Sequence, residues 1–391
     1  MLARVEAKLA LRVAATPVLA GAVLAFALDG RARDAADQAQ GPFLLVAGLL
    51  LLGLVADGDG VFAWASARLL GVTTHPRRLL CVALALVAVV TALLNLDTAV
   101  VFLTPILIGA ARGAGVDEEP FLYGSVLMAN ASSLLLPGAN LTNLLVLAGE
   151  PASGATFAAR ILPAALVAAG VTAAGLVGWQ ALRAAARRGD GPGLRDAGGR
   201  PPEGTAAPVP RRLGAVACAL AAVLVLALPH PGIPVLAVGL VAAAIRIRER
   251  RLDAAAAVEA VGPLALATLF ALSVLLGLLA RTWSGPTDLL GSVSPWETCA
   301  IGALAAIGVN NLPAAVLLSA APPPHPRALL LGLNLGPNLA VSGSLSSYLW
   351  FKAARGAGAQ PSALRFSRAG VPLALAAMAA GLATIAVVGP S

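Results

Sequence analysis

The sequence predicts an all-α polytopic membrane protein of two inverted repeats, each with scaffold helices, a re-entrant hairpin and a broken helix. Three observations predict it. Of the 391 residues, 59% are hydrophobic and 12% charged, more apolar surface than a water-soluble fold can hide. Breaks rich in Asn, Gly, Pro and Ser interrupt long apolar runs in both halves of the chain. The basic residues, finally, are spread unevenly among the loops.

The first element is the N-terminal "MLARVEAKLALRVAATPVLAGAVLAFAL". Basic residues ahead of an apolar core imitate a signal peptide, but many spans follow, so this is the first membrane helix, retained. Spanning helices are expected at 11–28, 42–56, 161–179, 213–228, 233–245, 262–281 and 370–388. Several fall short of the ~20 residues of a full span, which calls for local thinning or polar flanks. The Gly/Pro/Arg-rich stretch 183–212 reads as one cytoplasmic linker. It divides the chain into a first repeat, 1–182, and a linking helix with the second repeat, 213–391.

Two segments resist being ordinary spans. Residues 79–112, "LLCVALALVAVVTALLNLDTAVVFLTPILIGAAR", have basic ends and a polar break, "NLDT", halfway. Each arm, about sixteen residues, reaches ~24 Å. A re-entrant hairpin satisfies both charged ends, and so would two full spans. Residues 296–321 break at "NNLP" into arms of roughly twelve residues, too short to cross comfortably, so the hairpin is favoured there. Each hairpin precedes an interrupted helix, 121–149 and 327–351. An odd number of crossings separates the two copies, which makes the repeat an inverted one.

Charge sets the orientation. This topology places twenty-two of the 27 basic residues on one side, leaving Arg31, Arg33, Arg160, Arg281 and Arg327 on the other. The rule that basic loops stay inside puts the N-terminus in the cytoplasm and the chain in the plasma or inner membrane. The net charge of +8 therefore reports topology, and no nucleic-acid partner is expected.

In hydrocarbon an unwound backbone is tolerated only within protein or beside a wet cavity. Four interruptions at similar depth point to one polar chamber, where half-helix ends present free N–H and carbonyl groups to a small ligand. Asp97 is the one carboxylate placed deep in the membrane, and it can titrate, pair with a cation or cap the second hairpin arm. With Asn95, Thr98, Asn310 and Asn311 at the tips it forms the candidate coupling-ion set. Candidate substrate ligands are Asn130, Ser132, Ser133, Asn140, Thr142 and Asn143 in the first broken helix. The second offers Asn334, Gly336, Asn338, Ser342, Gly343 and Ser344. For each polar residue among them, capping or loop satisfaction competes with ligand contact.

Other chemistries find little support. Cys81, Cys218 and Cys299 lie in or beside different apolar runs and read as small core residues, a three-thiolate soft-metal site being the alternative. His75, His230 and His325 each stand beside a proline with no hydrolase or zinc spacing. No acid pair or Ser–His arrangement marks an enzyme. No Walker motif is present, and no cofactor or resident metal is expected.

"LDTAVVFLTPI", "ANASSLLLPGANLTNLLV", "NNLPAAVLL" and especially "NLGPNLAVSGSLSSYLW" resemble the arsenite/antimonite efflux permeases of the ion transporter superfamily. The hairpin-tip motifs are shared with sodium-coupled carboxylate carriers and sodium/proton antiporters. Asn334 and Asn338 stand where that family usually has Asp and Lys. The resemblance implies elevator-like alternating access, proton-coupled export of a small oxyacid such as arsenite or antimonite, and in some members a separate cytoplasmic ATPase. A sodium-coupled carrier of organic or inorganic anions is the alternative, and a homodimer is possible under either.

Overall fold

A computed structural model describes residues 2–73, 75–147, 154–189 and 210–389. Its helices are α1 (Leu2–Leu28), α2 (Gly30–Gly58), α3 (Val61–Val72), α4 (Pro76–Leu93), α5 (Leu96–Gly113), α6 (Glu119–Ser132), α7 (Leu141–Leu147), α8 (Gly154–Gly189) and α9 (Arg212–Ala227). There follow α10 (Gly232–Arg248), α11 (Ala254–Val261), α12 (Pro263–Thr282), α13 (Gly285–Gly291), α14 (Pro295–Val309), α15 (Asn311–Leu318), α16 (Pro326–Leu335), α17 (Leu345–Gly356) and α18 (Ala363–Val388). Among the described residues α2, α4, α5, α8, α12 together with α11, and α18 are long and apolar enough to cross a membrane.

Sequence signals set the helix starts. Proline opens α4, α12, α14 and α16, where its missing N–H costs no helical bond. Asn95, Ser344 and Ser362 cap α5, α17 and α18 through their side chains, and Ser294 with Glu297 forms a capping box on α14. Three elements depart from expectation. Helix α8 is continuous through Gly189, so 183–189 is helix and not linker; "RAAARRG" carries good helix formers, and the Gly/Pro-rich composition begins only after it. Most of the expected linker, 190–209, lies outside the described residues. The short helices α3 and α13 were not foreseen, being too brief to register as spans.

One group of helices, α1, α2, α9, α10 and α12, packs around α2. Small residues let backbones touch: a Cβ on Gly239 of α10 would lie 2.7 Å from the Gly48 carbonyl of α2. At one end of this group Arg246 Nε is 2.7 Å from Asp59 Oδ1, and Asp59 Oδ2 accepts from Gly214 N at 2.7 Å. That buried pair joins the ends of α2, α9 and α10.

The second group contains α4 to α8 and α14 to α18, and its packing is paired. Helix α4 packs on α6 as α14 does on α16; α6 packs on α8 as α16 does on α18; and α8 packs on α18. Helix α5 lies against α17 while α15 lies against α7, so each hairpin's second arm meets the broken helix of the other half. Ion pairs tie one end of this group together: Arg183 Nε to Asp117 Oδ2 at 2.5 Å, Arg112 Nε to Glu118 Oε2 at 2.6 Å, and Arg365 to Glu119. Beneath them Tyr123, Trp350 and Phe366 pack ring on ring, and Trp350 Nε1 donates to the Leu122 carbonyl at 2.9 Å.

Candidate functional site

The four chain breaks adopt distinct local structures. Between α4 and α5 the chain turns at Leu94 and Asn95; Asn95 is extended, and its Oδ1 accepts from Thr98 N at 2.6 Å. Between α14 and α15 the single residue Asn310 makes the break, at φ +76°. With ψ at 148° this backbone lies outside the left-handed helical region and is one that side-chain-bearing residues rarely adopt. Between α6 and α7 lie a turn, a 3-10 turn over Pro137–Ala139 and extended Asn140. Between α16 and α17 two 3-10 turns, Gly336–Asn338 and Val341–Gly343, flank extended Ala340. In the first, the regular helix ends at Ser132, ahead of Pro137 and Gly138; in the second, it ends at Leu335 before Gly336 and Pro337, and Ser344 caps its restart.

The broken helices are tied by a knot of buried amides. Asn334, fully buried on the last turn of α16, uses its whole hydrogen-bonding capacity within the protein. Its Oδ1 accepts from Ser133 Oγ at 2.6 Å and from Asn140 Nδ2 at 2.7 Å. Its Nδ2 donates to Asn143 Oδ1 and to the Leu330 carbonyl, both at 2.9 Å. Asn143 donates in turn to the Ser133 carbonyl at 2.6 Å. One turn further on, Asn338 accepts from Asn130 Nδ2 at 2.8 Å and donates to the Leu127 carbonyl at 3.1 Å. Six expected site residues thus meet across the two halves, with no charged side chain in the knot.

The first hairpin tip meets the second broken helix elsewhere. Ser346 Oγ, on the first turn of α17, donates to Asp97 Oδ1 at 2.5 Å. Ser344 Oγ caps Ser347 N at 3.1 Å on the same turn. No basic side chain pairs with Asp97 among the described residues. The second tip reaches the same connection: Asn310 Nδ2 approaches the Ser342 carbonyl at 3.5 Å, and Ser342 Oγ donates to the Ile307 carbonyl at 3.2 Å. Asn311 is buried beside it. Gly336 and Gly343 provide backbone proximity, packing against Ala303 and Pro337.

Ser346 was absent from the expected set; "GSLSS" offered it as the first serine past the cap. Several buried polar atoms of the breaks have no partner: Asn95 Nδ2, Thr98 Oγ1, Asn130 Oδ1, Ser132 Oγ and Thr142 Oγ1. Four of these five can donate a hydrogen bond. Buried polar atoms are normally paired, so this concentration at helix breaks marks where a ligand can be met. Among the described residues no group of three His, Cys, Asp or Glu side chains could hold a metal ion.

Broken membrane helices joined by buried polar side chains define a multi-pass membrane carrier of the secondary type, not an enzyme. The chain belongs to the citrate transporter family (CitMHS), whose profile matches residues 3–337. Among solved structures, the Alcanivorax borkumensis YdaH transporter, whose crystal structure was described as having an unusual topology, shares the fold. The TM-score is 0.55 at 14% identity, over 97% of each chain. No curated protein matches with significance. The family matched is thus the citrate transporters and not the arsenite/antimonite permeases that the motifs resemble; both readings share the ion transporter superfamily.

Proposed function

We propose that the protein carries a small organic or inorganic anion, with a carboxylate such as citrate as the first candidate, coupled to sodium. The observation that carries this reading is the pair of unpartnered hydroxyl donors at the first broken helix, Ser132 Oγ and Thr142 Oγ1. Carboxylate oxygens accept only, so a donor-rich lining suits them. Helix N-termini at α5, α15 and α17 add positive potential without a buried Lys or Arg. Membership of the citrate transporter family agrees.

In this reading Asp97, Asn95 and Thr98 form one coupling-ion site and Asn310 and Asn311 another, while Ser132, Thr142 and the exposed edge of the breaks hold substrate. Asn334, Asn338, Asn130, Ser133, Asn140 and Asn143 act mainly by fixing the broken helices to one another, because most of their capacity is already used. The two halves are inverted repeats. What supports this is the paired packing and the opposed hairpin ends: Arg112, at the end of α5, donates to Ala357 past α17 at 2.7 Å, whereas Ser319, past α15, lies against Leu145 of α7. The group of α4 to α8 and α14 to α18 moves as an elevator against the α2-centred scaffold. The end bearing Arg112, Arg183 and Arg365 faces the cytoplasm, by the skew of basic residues.

A second reading, proton-coupled efflux of an uncharged oxyacid such as arsenous acid, is favoured by the absence of cations from the knot and by the "NLGPNLAVSGSLSSYLW" motif. The deciding experiment is uptake of labelled citrate into proteoliposomes, with sodium replaced by choline and, separately, with an imposed pH gradient. Uptake that collapses in choline supports the anion carrier. Absence of citrate uptake, with arsenite tolerance conferred on a metalloid-sensitive host, replaces it by the second reading.

A further inference from the structure

We propose that Gln38 is a positioning residue of the transport cycle, the point at which the α2-centred scaffold grips the moving group at the ends of α7 and α15. The inference rests on the carrier reading above and adds to it a residue outside the breaks.

The geometry is a relay of hydrogen bonds. Gln38 lies on α2, half-buried. Its Nε2 donates to the carbonyls of Leu145 and Ser319, each at 3.2 Å. Leu145 is in the last turn of α7, and Ser319 follows the last residue of α15. Carbonyls at a helix C-terminus have no partner within their own helix, so one scaffold side chain satisfies two helix ends that belong to different halves. Ser319 Oγ stitches the same pair, donating to Ala315 O at 2.7 Å and to Leu145 O at 3.4 Å.

Gln38 is itself held. Arg281, in the last turn of α12, donates from Nη2 to Gln38 Oε1 at 2.6 Å and from Nη1 to the Gly277 carbonyl at 3.1 Å. Asp34, one turn before Gln38 on α2, acts on Arg281 through its charge. With its oxygen fixed by a guanidinium, the Gln38 amide presents its N–H pair in one direction, toward α7 and α15. Around it the two groups meet through Ala35, Ala39, Leu145, Ser273, Gly277 and Val316, mostly small side chains over which helices can slide. The grip is polar and local, and so it can be released and remade.

The test uses the full chain with Cys81, Cys218 and Cys299 replaced and Ala39→Cys paired with Val316→Cys across the contact. Mercury cross-linking in proteoliposomes reads how much of the protein holds this arrangement. Gln38→Leu removes the grip. Gln38→Glu has the same shape and keeps the acceptor for Arg281, but presents oxygen to the two carbonyls. Both substitutions remove the two bonds from Nε2 and lower the ratio of cross-linked to uncross-linked protein at least about fivefold, the effect of losing one hydrogen bond or more. In citrate uptake both change the turnover per folded carrier, measured against the monodisperse fraction of each preparation, and leave KM unaltered; a general loss of folding lowers the total rate but not the turnover of what remains folded. Wild-type cross-linking in Gln38→Glu overturns the proposal, and it alone decides should Gln38→Leu fail to elute as a single folded species. The cross-link does not depend on what is carried: a fivefold loss in a protein that takes up no citrate supports the grip and sinks only the carrier reading.

Discussion

The hydroxyl of Ser346 donates to Asp97 Oδ1 at 2.5 Å across 249 residues of sequence, joining the first hairpin tip to the restart of the second broken helix. A carboxylate inside an apolar protein is costly to leave without a partner, and here a neutral hydroxyl faces it instead of a cation. Asp97→Asn keeps the size and a hydrogen-bonding edge but removes the charge that binds a cation or proton. Gradient-driven uptake by that variant falls to background, while exchange without a gradient persists. Ser346→Ala removes a hydrogen bond to a charged group, about 1.5–3 kcal/mol, and slows driven uptake by about tenfold or more. Flux in proteoliposomes with and without the gradient measures both, and wild-type driven uptake in Asp97→Asn eliminates the coupling role.

The amide knot predicts a strong coupling between positions 334 and 338. Asn334→Asp retains the acceptor for Ser133 and Asn140 but loses the donor to Asn143 and Leu330, leaving oxygen against oxygen. Each buried group so orphaned costs about 1–3 kcal/mol, and the variant unfolds at a clearly lower temperature. Asn338→Lys adds a cation one turn away. The double variant recovers more stability than the two single losses allow, with an interaction of about 1–3 kcal/mol. A double-mutant cycle on thermal unfolding in detergent gives the number, and simple additivity would mean that the two positions do not share a network.

Much of this architecture was legible because hydrocarbon leaves few outcomes for "NLDT" or "NNLP" inside an apolar run. Asn, Pro and Gly there must end a helix, and the ends must be satisfied nearby. The partners were not legible. Nothing local ties Asn334 to Asn143, 191 residues away, or shows that Asn334 spends its full capacity on the protein. Capping and ligand contact look alike in a string of letters. Ser346 was passed over because a serine past a cap usually has only a local role, and Gln38 because its partners are backbone carbonyls, which carry no residue signature. Helix α8 ran past its expected end since hydropathy drops at Arg183 where helix propensity does not. The family was not legible for a related reason: the break motifs encode geometry shared across the superfamily, so a resemblance to the arsenite/antimonite permeases does not separate them from the citrate transporter family that matches.

The scaffold should be most sensitive at Asp59 and Arg246. Their side chains are 2% and 9% exposed, and the carboxylate also accepts from Gly214 N, so three helices share one ion pair. Arg246→Gln strands a buried carboxylate and destabilises by about 3–5 kcal/mol. Removing both charges together, in Asp59→Asn with Arg246→Gln, costs less than the arginine substitution alone. Unfolding in detergent separates these cases, and a double variant worse than either single one would show that the pair is net stabilising in its own right.

Gly370 tests how tightly the second break is held. It lies on α18 against the 3-10 turn at Asn338, where an added Cβ would sit 1.9 Å from the Asn338 carbonyl oxygen. That oxygen is backbone, so relief requires moving the turn itself, and with it the 2.8 Å bond from Asn130 to the Asn338 side chain. Overpacking of this kind costs about 1–3 kcal/mol. Gly370→Ala therefore lowers the unfolding temperature and weakens substrate uptake together, as the broken helix shifts against its partner. Gly178 on α8 supplies the control, because nothing lies within 4 Å of its would-be Cβ. Gly178→Ala gains helix propensity of up to about 1 kcal/mol and leaves uptake unchanged. Equal, small effects at both glycines would mean that the break has slack, and the amide knot could then not be what fixes its geometry.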